Sequence, residues 1–172
     1  MLTLRRIGLD TFHEHVAVLS RHCTVYRADG ADGVPPDTLV VGPDSEARQW
    51  VEAIARPLGL DILIGAKHRA GDRDVRIGFD DAGTAAGRPV VLVDDVVSSG
   101  ATLIEAARTL LAAGAVSVEV FATHALYGPD TAALLASAGI ARVRATDSVV
   151  HPTGTIPLAD VLASALEARS RA

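Results

Sequence analysis

The feature that most restricts the fold is the run Pro89 to Leu103, PVVLVDDVVSSGATL. Four consecutive aliphatic residues, Val90 to Val93, predict a strand buried on both faces of a parallel sheet. Two carboxylates, Asp94 and Asp95, stand at its carboxyl end, followed by the small residues Ser98, Ser99, Gly100, Ala101 and Thr102. Leu103 to Ala113 then reads as a helix. A short loop feeding a helix presents backbone N–H groups and the positive helix end to an anion, so these five residues can hold a phosphate. Adjacent carboxylates can accept hydrogen bonds from the two hydroxyls of a ribose, or hold a divalent cation. A plainer reading makes Asp-Asp a turn and Ser98 or Ser99 a helix cap. The joint pattern favours the phosphate-sugar site, because capping needs neither the acid pair nor the whole small-residue run.

The chain has 172 residues, enough for a full core, and is 49% hydrophobic and 22% charged, the balance of a globular protein. Only 3% is aromatic, so Val, Ile, Leu and Ala must fill the interior. A net charge of -5 argues against a nucleic-acid partner, which would require a basic face. Cys23 is the sole cysteine and has no zinc-ligand spacing around it. No apolar run reaches the ~18 residues of a membrane span. Arg5, Arg6, Asp10 and Glu14 interrupt the N-terminus where a signal peptide would be apolar. A cytoplasmic protein is expected.

Residues 1–37 carry the weakest pattern. Ile7 to Leu9 and Thr24 to Tyr26 read as short strands, and Gly30 to Pro36 as a linker or turn. His13, His15 and His22 lie between without a tidy ligand set and read as exposed or core-edge residues ahead of a metal site. From Thr38 the pattern is regular. Leu39 to Gly42 predicts a strand, and Pro43-Asp44-Ser45 a turn into a helix whose stripe is Trp50, Val51, Ile54, Ala55 and Leu58. Gly59 stops that helix. Ile62 to Ile64 predicts a strand, Lys67 to Asp74 a polar Gly-containing segment, and Val75 to Phe79 an arm of a hairpin. Beyond the central run, Gly114 ends a helix. Val116 to Thr123 predicts a strand, Asp130 to Ala138 a helix and Ala141 to Thr146 a strand. Pro157 opens a helix running to about Arg169. Strands alternating with helices predict an α/β fold with a mostly parallel sheet flanked by helices.

Ligands of such sheets bind beyond the carboxyl ends of the strands. That rule gathers Gly42-Pro43-Asp44, Lys67-His68-Arg69, Asp94-Asp95, Thr123-His124 and Thr146-Asp147 onto one rim. Lys67, Arg69, Arg73 and Arg76 form a basic segment in an acidic chain. It reads equally well as a solvated hairpin or as a lid whose cations close over a phosphoryl group. Asp44 is accounted for as a helix cap.

The run from Pro89 to Leu103 resembles the phosphoribosyl-diphosphate (PRPP) motif shared by type I phosphoribosyltransferases and ribose-phosphate diphosphokinases. The resemblance implies a type I phosphoribosyltransferase-like fold, with Asp94 and Asp95 on the ribose hydroxyls and Ser98, Ser99, Gly100, Ala101 and Thr102 on the 5-phosphate. Lys67 and Arg69 match a Lys-x-Arg pair in the diphosphokinases' catalytic flexible loop, and AGDRDVRI resembles their shorter, archaeal-type members. GPDSEARQWV is similar to their pyrophosphate loop, which makes Asp44 and Ser45 its candidates and Asp44 and Asp94 candidate Mg2+ ligands. His124 within FATHALY and the run TDSVVHPTGTIPLADVL also match, and are read as structural support. The family's Asp-x-His cation ligand is approached by Asp10-Thr11-Phe12-His13, with His13 one residue out of register.

The resemblance spans roughly Thr38 to Leu166. Residues 1–37 are accordingly expected to be a remnant or replacement of the family's N-terminal domain, and 38–172 the phosphoribosyltransferase-like domain. This makes the chain a short form, a fragment or a degenerate relative, with ribose 5-phosphate or PRPP and ATP as ligands. A homo-oligomer, or association with a related full-length subunit, is expected. Three activities stay open at this point: diphosphoryl transfer from ATP to ribose 5-phosphate, a phosphoribosyltransferase using PRPP and a nucleobase, and a non-catalytic PRPP or nucleotide sensor. The Lys-x-Arg segment and the Gly-Pro-Asp loop favour the first.

Overall fold

The computed structural model describes residues 34–69, 75–159 and 163. Six strands form one sheet: β1 (Leu39–Gly42), β2 (Asp61–Ile64), β5 (Pro89–Val97), β6 (Ser117–Ala125), β7 (Ile140–Thr146) and β8 (Gly154–Ile156). Their order is β2-β1-β5-β6-β7-β8, and every neighbouring pair is parallel. A separate antiparallel hairpin joins β3 (Ala66–Arg69) to β4 (Val75–Gly78). Three helices connect the strands: α1 (Arg48–Leu58), α2 (Ala101–Ala112) and α3 (Pro129–Ser137).

Alternation along the strands makes two apolar layers, as a sheet covered on both faces requires. Leu39, Val41, Val90, Leu92, Val118 and Val120 face α2 and α3, packing with Leu103, Ala106, Leu110 and Leu135. Val40, Val91, Val93 and Phe121 face α1, packing with Val51, Ile54, Ala55 and Leu58. The predicted stripe of α1 is therefore its buried face, with Trp50 half-buried at its margin. Gly59 ends α1 in the left-handed conformation (φ 62°), its N–H reaching the carbonyls of Ala55 and Arg56.

Several boundaries differ from expectation. β5 continues through both acids to Val97, because pairing of Asp94 with Ala122 and of Val96 with His124 outweighs the low strand preference of aspartate. α2 begins at Ala101 rather than Leu103. Between Asp44 and α1 lies a 3-10 turn, Ser45–Ala47. The polar segment at Lys67 is itself a strand, β3, which supplies the other arm of the hairpin expected at Val75. The sequence gives no sign of β8, in which Gly154 and Ile156 pair with Ala145 and Thr146 at the sheet edge. The strands expected at Ile7 to Leu9 and Thr24 to Tyr26, with His13, His15 and His22, lie outside the described residues, as does most of the helix expected after Pro157. Among the described residues no helix is long and apolar enough to cross a membrane.

Candidate functional site

Strand order reverses between β1 and β5, since β2 lies on the far side of β1 and β6 on the far side of β5. Adjacent strand ends whose connections depart in opposite directions leave a crevice, the usual ligand position in an open parallel sheet. The Gly42-Pro43-Asp44 turn leaves one lip and Asp94-Asp95 the other.

On the β5 lip the backbone is arranged for an anion. Gly100 caps α2 in the left-handed conformation (φ 70°). A Cβ there would stand 3.0 Å from Leu135 Cδ2 and 3.3 Å from Thr131 Cγ2, so glycine is required both by the turn and by the close approach of α3. Ala101 N–H donates to Ser99 Oγ at 3.4 Å, a long local contact. Among the described residues, the N–H groups of Ser98, Ser99, Gly100 and Thr102 donate to no other protein group. Asp94, Val97, Ser98, Ser99, Gly100, Ala101 and Thr102 thus border a small polar pocket of about 60 Å³. The positive end of a twelve-residue helix points at it. The plainer reading of Ser98 or Ser99 as the helix cap does not hold, because Gly100 is the cap and no side chain bonds there, and the Ser99 contact uses only one of the loop's donors.

Of the two acids, Asp94 is the one under electrostatic strain. Asp94 is half-buried and Asp95 exposed. Burial pushes the Asp94 carboxyl up to about 7, and the charges of Asp95 and Asp44 push the same way. The N–H of Asp95, donating to Asp94 Oδ1 at 3.0 Å, opposes the rise without cancelling it. The influence of Asp44 on Asp94 unites the two lips: three carboxylates share one crevice. Asp44 also accepts the N–H of Glu46 at 3.0 Å, so it caps the 3-10 turn as expected while adding its charge to the site. Ser45 is exposed at the first position of that turn.

Lys67 and Arg69 lie on β3, paired with Ile77 and Val75 of β4. The hairpin leaves the carboxyl end of β2 through Gly65, whose N–H donates to the carbonyl of Gly42 at 2.8 Å. A Cβ on Gly65 would lie 2.4 Å from the carbonyl oxygen of Pro43, so the hairpin is rooted directly on the Asp44 turn. β4 packs against α2, the helix that follows the phosphate-type loop. Gly65 gave no sequence signal, since a close backbone approach becomes visible only when β1 and β2 are side by side.

The next strand end carries a network that spacing alone did not reveal. His124 Nδ1 lies 2.7 Å from Ser148 Oγ, Thr146 Oγ1 donates to the carbonyl of Thr123 at 2.6 Å, and Ser148 Oγ lies 3.1 Å from that same carbonyl. His151 holds the following turn, with Nδ1 2.7 Å from Thr153 Oγ1 and Nε2 3.0 Å from the carbonyl of Tyr127. These contacts fix the rim beside β5, in keeping with the supporting role expected of His124.

Among the described residues no three His, Cys, Asp or Glu side chains form a ready-made metal cage. Mg2+ seldom needs one, since it is commonly held by one or two carboxylates and completed by water and substrate phosphates. The carboxylate oxygens of Asp94, Asp95 and Asp44 are the hard donors such a cation takes, and the charges of Asp95 and Asp44 add to burial in raising Asp94.

Comparison with known proteins identifies the family and the fold. Residues 26–147 match the family model described as phosphoribosyl transferase domain. Over 127 residues the chain is 38% identical to ribose-phosphate pyrophosphokinase 1 of Archaeoglobus fulgidus, covering 74% of this chain and 44% of that protein. Over 142 residues it is 34% identical to ribose-phosphate pyrophosphokinase of Methanopyrus kandleri, covering 83% and 48%. The crystal structure of phosphoribosylpyrophosphate synthetase from Mycobacterium smegmatis superposes with a TM-score of 0.69 at 26% identity, covering 91% of this chain and 50% of that one. An adenine phosphoribosyltransferase structure shares the fold, with a TM-score of 0.60 at 17% identity. The chain spans about half the length of the curated relatives it matches. It belongs to the phosphoribosyl transferase domain family, and within that family it is similar to the ribose-phosphate pyrophosphokinases.

Proposed function

We propose that this chain binds ribose 5-phosphate and transfers the diphosphoryl group of ATP to its C1 hydroxyl, giving PRPP and AMP. The observation that carries the reading is the pairing, in one crevice, of a loop with unspent backbone donors and an acid pair at the adjoining strand end. Phosphate and diol of a phosphorylated pentose are the ligand groups that this combination suits. The similarity to ribose-phosphate pyrophosphokinases over most of the chain favours diphosphoryl transfer over the transferase reaction, whose structural neighbours share the fold at much lower identity.

In this reading the N–H groups of Ser98 to Thr102 and the end of α2 hold the 5-phosphate. Asp94 and Asp95 accept the sugar hydroxyls and orient C1 toward the Asp44 turn. The C1 oxygen attacks the β-phosphorus in line. The new C1–O–P bond forms as the bond from the β-phosphorus to the α,β-bridging oxygen breaks, AMP leaves, and the hydroxyl proton is released. Lys67 and Arg69, on the hairpin rooted beside Asp44, supply the positive charge that phosphoryl transfer requires around its equatorial oxygens. Mg2+, when held by Asp44 and Asp94, would screen the phosphate charges of ATP.

The test measures PRPP and AMP formation from ATP and ribose 5-phosphate with Mg2+. Turnover by the wild-type chain, falling about 100-fold or more in Lys67→Ala, is expected. Absence of turnover, or undiminished turnover in the variant, contradicts the reading.

A further inference from the structure

At the amino ends of the strands, away from the crevice, lies a cavity of about 260 Å³. Thr38, just before β1, borders it with Val91, Glu119 and Arg142, near the starts of β5, β6 and β7. Val91 and Phe121 face α1, and Glu119, two residues before Phe121, shares that face. Arg142 pairs in register with Glu119, and Arg144 with Phe121. The Arg144 guanidinium lies 5.2 Å from the centre of the Phe121 ring. One carboxylate and two guanidinia thus stand on a sheet face that is otherwise filled by Val, Ile and Phe. Burial of charge in such a place is costly and calls for a reason.

The charges do not balance. Arg144, buried, holds Glu119 Oε2 through Nη2 at 2.9 Å, and Arg142 Nε lies 3.9 Å from Glu119 Oε1. Among the described residues no other charged side chain borders the cavity, so its wall carries one positive charge in excess. Thr38 adds an independent sign of a ligand. It is fully buried, and its Oγ1 has no hydrogen-bond partner among the described residues. Its backbone is pinned on either side, since its N–H donates to the Pro35 carbonyl at 3.0 Å and Arg88 Nε donates to the Asp37 carbonyl at 2.7 Å. A buried hydroxyl ordinarily has a partner, and here the protein supplies none. Val34, Pro35 and Val91 complete the wall with apolar surface.

We infer that this cavity is a second ligand site, for a small organic monoanion: a carboxylate with a short apolar tail. The head group lies on Arg142 and Arg144, whose planar guanidinia match a carboxylate, with Thr38 Oγ1 as a further donor. The tail lies against Val34, Pro35 and Val91. An inorganic dianion would exceed the single surplus charge and gain nothing from the apolar wall. NMR of the valine methyl groups, with butyrate as the probe and butylamine as the control, tests the site away from the crevice. Butyrate is expected to shift the Val34 and Val91 methyls saturably at about millimolar concentration, while butylamine leaves them in place. Arg144→Met should weaken binding about tenfold and Thr38→Val about threefold. Thr38→Val should not lower the melting temperature, as loss of a structural hydrogen bond would. Where Arg144→Met misfolds, Arg142→Gln, on a half-exposed side chain, should still weaken binding about threefold. No saturable shift, equal shifts with butylamine, or undiminished binding in all variants overturns the inference. So does displacement of butyrate from these methyls by inorganic phosphate, since the site would then take any anion.

Discussion

Asp94 is the residue on which the electrostatics of the crevice converge. Its carboxyl titrates near 7 in the native state against 3.8 for an unstrained aspartate, raised first by burial and then by Asp95 and Asp44. Between those values the native chain binds a proton that the unfolded chain has lost. The contribution of Asp94 to stability is therefore fully present below about pH 4 and lost as pH rises through about 7. Urea unfolding in the presence of a chelator should show stability declining over that window, and Asp94→Asn should flatten the decline. An unchanged profile in the variant would place the titration elsewhere. Gly100 makes a different demand, because its φ of 70° and the 3.0 Å approach of Leu135 Cδ2 both exclude a side chain. Gly100→Ala is expected to cost about 1–3 kcal/mol in a thermal or urea unfolding measurement and to abolish ribose 5-phosphate binding by displacing the loop amides.

At the scale of elements, β5 and α2 carry the account, and they were also the most legible part of the chain. An aliphatic run before an acid pair and a small-residue loop announces strand, turn and helix without tertiary knowledge. Misjudged boundaries share one cause. The aliphatic run ends the expected strand at Val93, but Asp94 and Val96 are strand residues by virtue of their partners on β6. Ala66–Arg69 has too few apolar residues to read as a strand, and becomes one because Val75–Gly78 folds back on it. β8 is too short for any periodicity to register. α3 supports the loop from behind through Leu135, which is buried and reaches Gly100. Leu135→Ala should destabilise the chain by about 2–5 kcal/mol and weaken ribose 5-phosphate binding more than a substitution at the exposed Ala132. Equal weakening by both, measured by calorimetry, would detach α3 from the loop.

For the molecule as a whole, the parallel sheet followed from strands alternating with helices, and the strand exits were expected on one rim, while the crevice emerged only with the strand order of the folded sheet. What spacing could not supply was contact across distance. The joint of Gly65 with Pro43 and the bond of His124 to Ser148 arise only when separate strand ends are side by side. The charge of Asp44 reaches Asp94 for the same reason. With about half the length of its relatives, the chain nonetheless contains the phosphate-type loop, both acids of the pair and the cationic hairpin in one folded unit. Calorimetric titration with ribose 5-phosphate, with and without Mg2+, therefore tests the central claim without requiring turnover. Saturable binding that is strengthened by Mg2+, and lost in both Asp95→Asn and Gly100→Ala, is the predicted result. No heat of binding, or equal binding by wild type and both variants, would contradict it.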